Sequence, residues 1–200
     1  MSLWAWRTIK AIYLASMHDV ILDASSWVRR FAPLIPAGGS VLDLACGAGR
    51  HAALLASLGH TVLAVDQDIS AIEDLQNPRI QSQKENLEGA TWPLSAQQFS
   101  GIVVTNYLYR PFLDQLPQML FDGGVLIYET FAAGNSQFGK PSNPNFLLNP
   151  GELLALAASA GLKVLAYEDI YLDRPKPAMV QRICAVKGNL KGCIPLQFGA

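Results

Sequence analysis

Residues 41–52 read VLDLACGAGRHA, and the fold is decided by what this stretch is built to hold. Val41 to Ala45 is a short apolar run, consistent with a buried strand. Gly47, Gly49 and Ala52 then fit the spacing GxGxxG/A, a glycine turn that lets backbone approach a ligand and opens a helix. The spacing predicts a helix from Gly49 to Leu58, stopped by Gly59. Strand, glycine turn and helix together form the first half of a βαβ unit, with a ligand crevice at the carboxyl end of the strand.

Working outward, strands and helices alternate. Thr61–Asp66 reads as a second strand, followed by a helix from about Ile69 to Leu75 that stops at Asn77-Pro78. Weaker or shorter strands are expected over Arg79–Gln83 and Gly101–Thr105. Pro111 suits the first turn of a helix running to about Leu120. Asp122-Gly123-Gly124 reads as a turn before a strand over Val125–Glu129. Pro150 opens a helix to about Ala160, closed by Gly161, and two strands follow over Leu162–Ile170 and 178–187. Upstream, residues 3–16 and 23–32 read as helices, the second capped by Asp23 or Ser25 and ending before Pro33. Solid apolar strands separated by helices indicate a parallel sheet covered on both faces. The last two strands have no helix between them and must form a hairpin, which makes one of them antiparallel. The expected class is therefore α/β: a doubly wound, seven-stranded, mostly parallel sheet with an antiparallel C-terminal hairpin.

Two carboxylates distinguish the possible ligands of the glycine turn. Asp66 follows Gly47 by 19 residues, near the distance of a ribose-binding acid, and this alone would suit a nicotinamide dinucleotide. Asp43 argues otherwise. It sits within the first strand, where an ionised carboxylate would repel a pyrophosphate but attract an ammonium group. S-adenosylmethionine carries an ammonium for Asp43, a carboxylate for the helix N-terminus and a ribose diol for Asp66. The turn and its two acids thus suit this cofactor better than a dinucleotide.

Residues 42–72, LDLACGAGRHAALLASLGHTVLAVDQDISAI, resemble motifs I and II of class I S-adenosylmethionine-dependent methyltransferases. Within that superfamily the stretch is most similar to the small tellurite-resistance-type group, whose pattern LDLxCGxGRxxxxLAxxGxxVxAxD runs from Leu42 to Asp66. The resemblance to the superfamily covers about residues 25–187. It implies a seven-stranded sheet with the seventh strand antiparallel and inserted beside the fifth. It also implies a methionine-binding wall of Asp43, Ala45, Cys46, Gly47 and Gly49, with Asp66 on the ribose and Gln67 beside the adenine. Asn86 and Leu87, in KENLEGATWPL, would face the adenine amino group; the usual residue is Asp, but an Asn side-chain oxygen can accept the same bond.

The fourth strand ends in TNYLYRP, residues 105–111, where the family presents residues to the methyl group. Asn106 there is a cofactor-side candidate, and Tyr107 and Tyr109 are substrate-side candidates. The two prolines of nucleic-acid amino-methylating enzymes are missing from this segment. Residues 131–150, FAAGNSQFGKPSNPNFLLNP, are long for a connection and leave the carboxyl edge of the sheet. They are expected to form a lid or substrate wall, with Phe131 and Phe138 as further substrate-side candidates. The N-terminal helices would cover the other side, with Trp27 and Arg30 near the methionine end. His51 and His60 are expected at the surface. His18 reads as a surface or capping residue, and no general base is named.

Composition narrows the partners. The 200 residues are 50% hydrophobic and 16% charged, with a formal net charge of −1, which is globular and lacks the basic footprint of a nucleic-acid binder. Cys46, Cys184 and Cys193 are widely spaced, with no CxxC pair, so no metal site is expected; they read as small buried hydrophobes in a reducing, cytoplasmic setting. No stretch approaches the roughly 20 apolar residues of a membrane span. One domain is expected over 1–200: N-terminal helices over 1–39, a Rossmann-like core over 40–188 and a tail over 189–200. The reading is a methyltransferase acting on a small molecule. Alternatives are a non-catalytic protein that binds the same cofactor, and a nicotinamide oxidoreductase. Oligomeric state is not legible.

Overall fold

The computed structural model describes residues 24–94 and 96–188, so the helix expected over 3–16, His18, Cys193 and the tail lie outside the described residues. Seven strands form one sheet: β1 (Ser40–Leu44), β2 (Thr61–Asp66), β3 (Ile80–Lys84), β4 (Phe99–Thr105), β5 (Leu120–Phe131), β6 (Leu162–Leu172) and β7 (Ala178–Lys187). Their order is β3-β2-β1-β4-β5-β7-β6. β1 to β5 pair in parallel, while β7 is antiparallel to both β5 and β6. The hairpin and its insertion beside β5 are as expected. The chain runs outward from β1 to β3, then crosses back to β4, which places the topological switch at the carboxyl ends of β1 and β4.

Among the described residues the α-helices are α1 (Ser26–Phe31), α2 (Arg50–Ser57), α3 (Ser70–Glu73), α4 (Gln115–Gln118) and α5 (Glu152–Ser159). Strand alternation sends Leu42, Leu44, Ile102, Val104, Leu126 and Ile183 to one face, against Leu153 and Leu156 of α5. Val41, Val103, Val125 and Ile127 face the other side, against Trp27 and Phe31 of α1 and Leu55 of α2. The same alternation puts Asp43 on the α2 side, between apolar neighbours.

Several boundaries differ from expectation for identifiable reasons. The helix expected over Pro111–Leu120 is broken into a 3-10 turn, Arg110–Phe112, and the short α4. Pro117 lies inside the expected span and cannot donate the intrahelical bond an interior residue must make. α1 ends at Phe31, but the chain continues as a 3-10 turn, Ala32–Leu34, with Pro33 in its first turn, where a missing N–H costs nothing. Ser25 is the α1 cap: its side chain accepts the Trp27 N–H. Asp122-Gly123-Gly124 does not separate two elements. β5 runs through it, and its pairing with β4 skips from Phe99↔Leu120 to Gly101↔Val125. No helix among the described residues is long and apolar enough to cross a membrane, and none of their His, Cys, Asp and Glu residues cluster to hold a metal.

Candidate functional site

The glycine turn leaves β1 through Ala45, whose φ of 53° is left-handed. Gly47 (φ +53°) and Gly49 (φ +79°) continue in that region. A Cβ on Gly49 would strike the Ile72 side chain of α3, so this glycine serves close packing as well as the turn. Among the described residues a Cβ on Gly47 would meet nothing within 4 Å, so its face of the turn is open there. The Gly47 N–H donates to Asp66 Oδ2 at 2.8 Å, and Asp68 N–H to Asp66 Oδ1 at 3.1 Å. Asp66, at the end of β2, is thereby held against the turn across the crevice.

Asp43 is 1% exposed. The backbone N–H of Ala52 in α2 bonds its carboxyl, but Oδ2 has no hydrogen-bond partner among the described residues. Burial lifts this carboxyl to about 7; the Ala52 bond and the nearby Arg50 charge oppose the rise, and Asp66 adds to it. Such an oxygen is an incomplete pairing, rare in a folded interior. Cys46 is buried and its thiol is raised far above its ordinary range by burial and by the Asp43 and Asp66 charges. It is a neutral wall of the turn, not a nucleophile.

Beside the turn, a cavity of about 140 Å³ is lined by Ala45, Asp66, Gln67, Glu85, Asn86, Leu87, Glu88 and Tyr107. Six of the residues expected at a site meet here: Ala45, Asp66, Gln67, Asn86, Leu87 and Tyr107. Glu85 and Glu88 were missed, although they flank the Asn86-Leu87 pair in sequence. Asn86 Oδ1 accepts the Glu88 N–H at 3.0 Å, which shapes the turn after β3. Tyr107 and Tyr109 reach that turn from β4: their hydroxyls donate to Leu87 O at 3.2 Å and Glu88 O at 3.3 Å. Trp92 and Tyr109 flank Phe112, with ring centroids 5.2 and 5.4 Å away, and these three rings line a separate small pocket together with Tyr107. Tyr128, wholly buried, donates to Tyr107 O at 2.7 Å and fixes the backbone there.

Asn106 follows β4 with a φ of 55°, and its N–H donates to Glu129 O at 2.9 Å. Ala45 and Asn106 are thus non-glycine residues in left-handed backbone, at the carboxyl ends of neighbouring strands. Backbone of this kind persists where surrounding structure enforces it, and it concentrates at functional sites.

A polar row crosses the same edge on the α1 face. Thr105, Glu129, Arg182 and Glu168 are paired in register on β4, β5, β7 and β6. Arg182 bonds Glu168 at 2.7 Å and Glu129 at 3.2 Å, with its guanidinium 4.7 Å from the Trp27 ring centroid. Ser25 Oγ donates to Glu129 Oε1 at 2.8 Å. Contrary to expectation, His51 and His60 are buried, at 1% and 3% exposure. His51 Nε2 accepts the Ser25 N–H at 3.1 Å, so the ring proton lies on Nδ1, which faces Thr105 Oγ1 at 3.3 Å. Burial, then the Arg50 and Arg29 charges, lower His51 to about 3. It stays neutral and ties α1 to β4. Trp27 is likewise a core residue, its indole N–H donating to Ile183 O at 3.2 Å, while Arg30 is exposed with its guanidinium over Phe31.

The 131–150 segment stays on the carboxyl edge of the sheet. Ala132 and Leu148 bridge in parallel, Ala132 N–H donates to Met179 O, and Arg110 grips the carbonyls of Asn145 and Leu147. Phe131 ends β5. Phe138 is 39% exposed and stacks on Tyr171 of β6 at 5.0 Å. Neither lines the cavity at Tyr107.

The methyltransferase-domain family profile matches residues 17–167. No curated protein matches the chain. Among solved structures, TehB from Haemophilus influenzae superposes with a TM-score of 0.67 at 20% identity, over 82% of this chain and 62% of that one; this chain spans less than two thirds of that protein. A TehB-like SAM-dependent methyltransferase from Corynebacterium glutamicum gives a TM-score of 0.59 at 20% identity, covering 92% and 95%. The 1,6-didemethyltoxoflavin-N1-methyltransferase of Burkholderia thailandensis, solved with bound 1,6-didemethyltoxoflavin and S-adenosylhomocysteine, gives 0.59 at 16% identity, covering 94% and 92%. These likenesses establish the fold, and the profile match over most of the chain establishes that this protein belongs to the methyltransferase-domain family.

Proposed function

We propose that the protein is an S-adenosylmethionine-dependent methyltransferase whose acceptor is a small molecule. One observation carries the cofactor reading: Asp43 presents a buried carboxylate oxygen without a hydrogen-bond partner among the described residues, behind an open glycine turn. An ammonium group suits that position and a pyrophosphate does not. In this reading Asp43, Ala45, Cys46, Gly47 and Gly49 surround the methionine part, Asp66 takes the ribose hydroxyls, and Gln67, Asn86 and Leu87 enclose the adenine. Asn106 orients the reacting end. The cofactor supplies the activated methyl group, while the chain's own residues align the partners and exclude water.

Tyr107 and Tyr109 are proposed to line the acceptor side, with Phe131 and Phe138 on the outer wall. A small acceptor is supported by the near-neutral chain and by the long segment kept at the carboxyl edge. His51 cannot serve as a base in this arrangement, since its Nε2 lone pair is already engaged by Ser25. A thiolate or chalcogenide, which needs no base, is the first class to test. The experiment is transfer of labelled methyl from S-adenosylmethionine to a panel of small thiols, chalcogenides, amines and phenols, with RNA and DNA as parallel acceptors. Label in the small-molecule fraction is expected. Label confined to nucleic acid would overturn the acceptor reading.

A further inference from the structure

The Arg110 guanidinium makes four hydrogen bonds to a single distant stretch of chain. Nε donates to Glu152 Oε1 at 2.7 Å and Nη2 to Glu152 Oε2 at 2.8 Å, a bidentate fork. Nη1 donates to Asn145 O at 2.8 Å and Nη2 also to Leu147 O at 2.7 Å. Glu152 Oε2 accepts the Asn149 N–H as well, at 2.7 Å. One side chain thus fixes 145–149 and the start of α5 together. The residues just before Arg110 point the opposite way, since Tyr107 and Tyr109 bond the carbonyls of Leu87 and Glu88 on the cavity wall. Residues 107–110 therefore form a bridge, with the cavity at one end and the 145–149 stretch at the other.

We infer that Arg110 is a positioning residue of the methyl-transfer site, holding the 145–149 stretch in register with the Tyr107 side of the cavity. The inference rests on the cofactor reading above. Lysine cannot replace Arg110, because an ammonium lacks the planar fork that meets a carboxylate and two carbonyls at once.

The test separates positioning from mere stability. Asn135 secures the first half of the same segment, accepting the Met179 N–H at 3.1 Å and donating to Pro141 O at 3.0 Å. S-adenosylhomocysteine affinity, measured calorimetrically well below the melting temperature, is compared among the native protein, R110A, R110K and N135A. All three variants are expected to melt earlier. R110A and R110K are expected to bind about tenfold more weakly, since a slight misplacement of a site wall is costly, while N135A keeps native affinity. If R110A fails to fold, E152Q removes the ion pair while retaining an acceptor for Asn149, and a smaller loss of affinity is expected. Native affinity in the Arg110 variants, or an equal loss in N135A, would overturn the inference while leaving the cofactor reading intact. A native protein that does not bind S-adenosylhomocysteine would overturn both.

Discussion

Asp43 is the residue whose environment says most about function. Its carboxyl is raised in the folded chain above its unfolded value, so the folded state holds a proton that the unfolded state has lost between those two values. The ligand-free protein should therefore lose stability as pH rises from about 4 through about 7, the interval between the ordinary carboxylate and the buried one. Thermal melting across that range checks this, and D43N should remove Asp43's share of the slope. An ammonium ligand reverses the preference, because it selects the ionised form. S-adenosylhomocysteine affinity should then fall as pH drops below about 7, with uptake of the ligand coupled to proton release, and D43N should bind weakly at every pH. A flat affinity profile in the native protein would remove Asp43 from the ligand. The two glycines make a separate residue-scale prediction. G49A should destabilise by about 2 kcal/mol or more, from positive φ and collision with Ile72. G47A should cost only about 1 kcal/mol in the fold, yet weaken the ligand, since its methyl would enter the open face of the turn. Chemical denaturation and calorimetry on both variants separate the two effects. At this scale the sequence was informative where chemistry and spacing coincide, as for Asp43, Gly47, Gly49 and Asp66. It misled on His51, expected at the surface but buried, because the groups that satisfy it lie 26 and 54 residues away.

At the scale of elements, α1 is a short helix whose cap reaches the site edge. Ser25 accepts from Trp27, donates its N–H to His51 and its hydroxyl to Glu129. S25A should cost about 1 kcal/mol, the ordinary cost of a lost cap. S25G should cost about as much, although glycine is an acceptable cap, because the Glu129 bond is lost in both; a fully rescued glycine variant would show that only capping matters. Strand cores and the C-terminal hairpin were readable from apolar runs, and β7 was found over the expected residues. The single helix expected after β4 does not form, because Pro117 interrupts the span that Pro111 opens. The Asp122-Gly123-Gly124 turn was misread because the extension of β5 through it depends on pairing with β4, which no local pattern reveals.

For the whole molecule, the sheet order gathers four separate strand ends into one edge, and the Tyr107 cavity collects residues from β1, β2, the turn after β3 and β4. The glycine turn and the hairpin were enough to imply this architecture. They did not reveal the contacts between distant segments, such as the Arg110 grip on 145–149 or the polar row from Thr105 to Glu168, because those side chains meet only after the sheet is assembled. The measurement that tests the central reading most directly is calorimetric titration of the native protein with S-adenosylhomocysteine, with NAD in parallel. Micromolar binding of S-adenosylhomocysteine with none of NAD is the predicted result. Binding of NAD alone would contradict it, and the glycine turn would then hold a pyrophosphate despite Asp43.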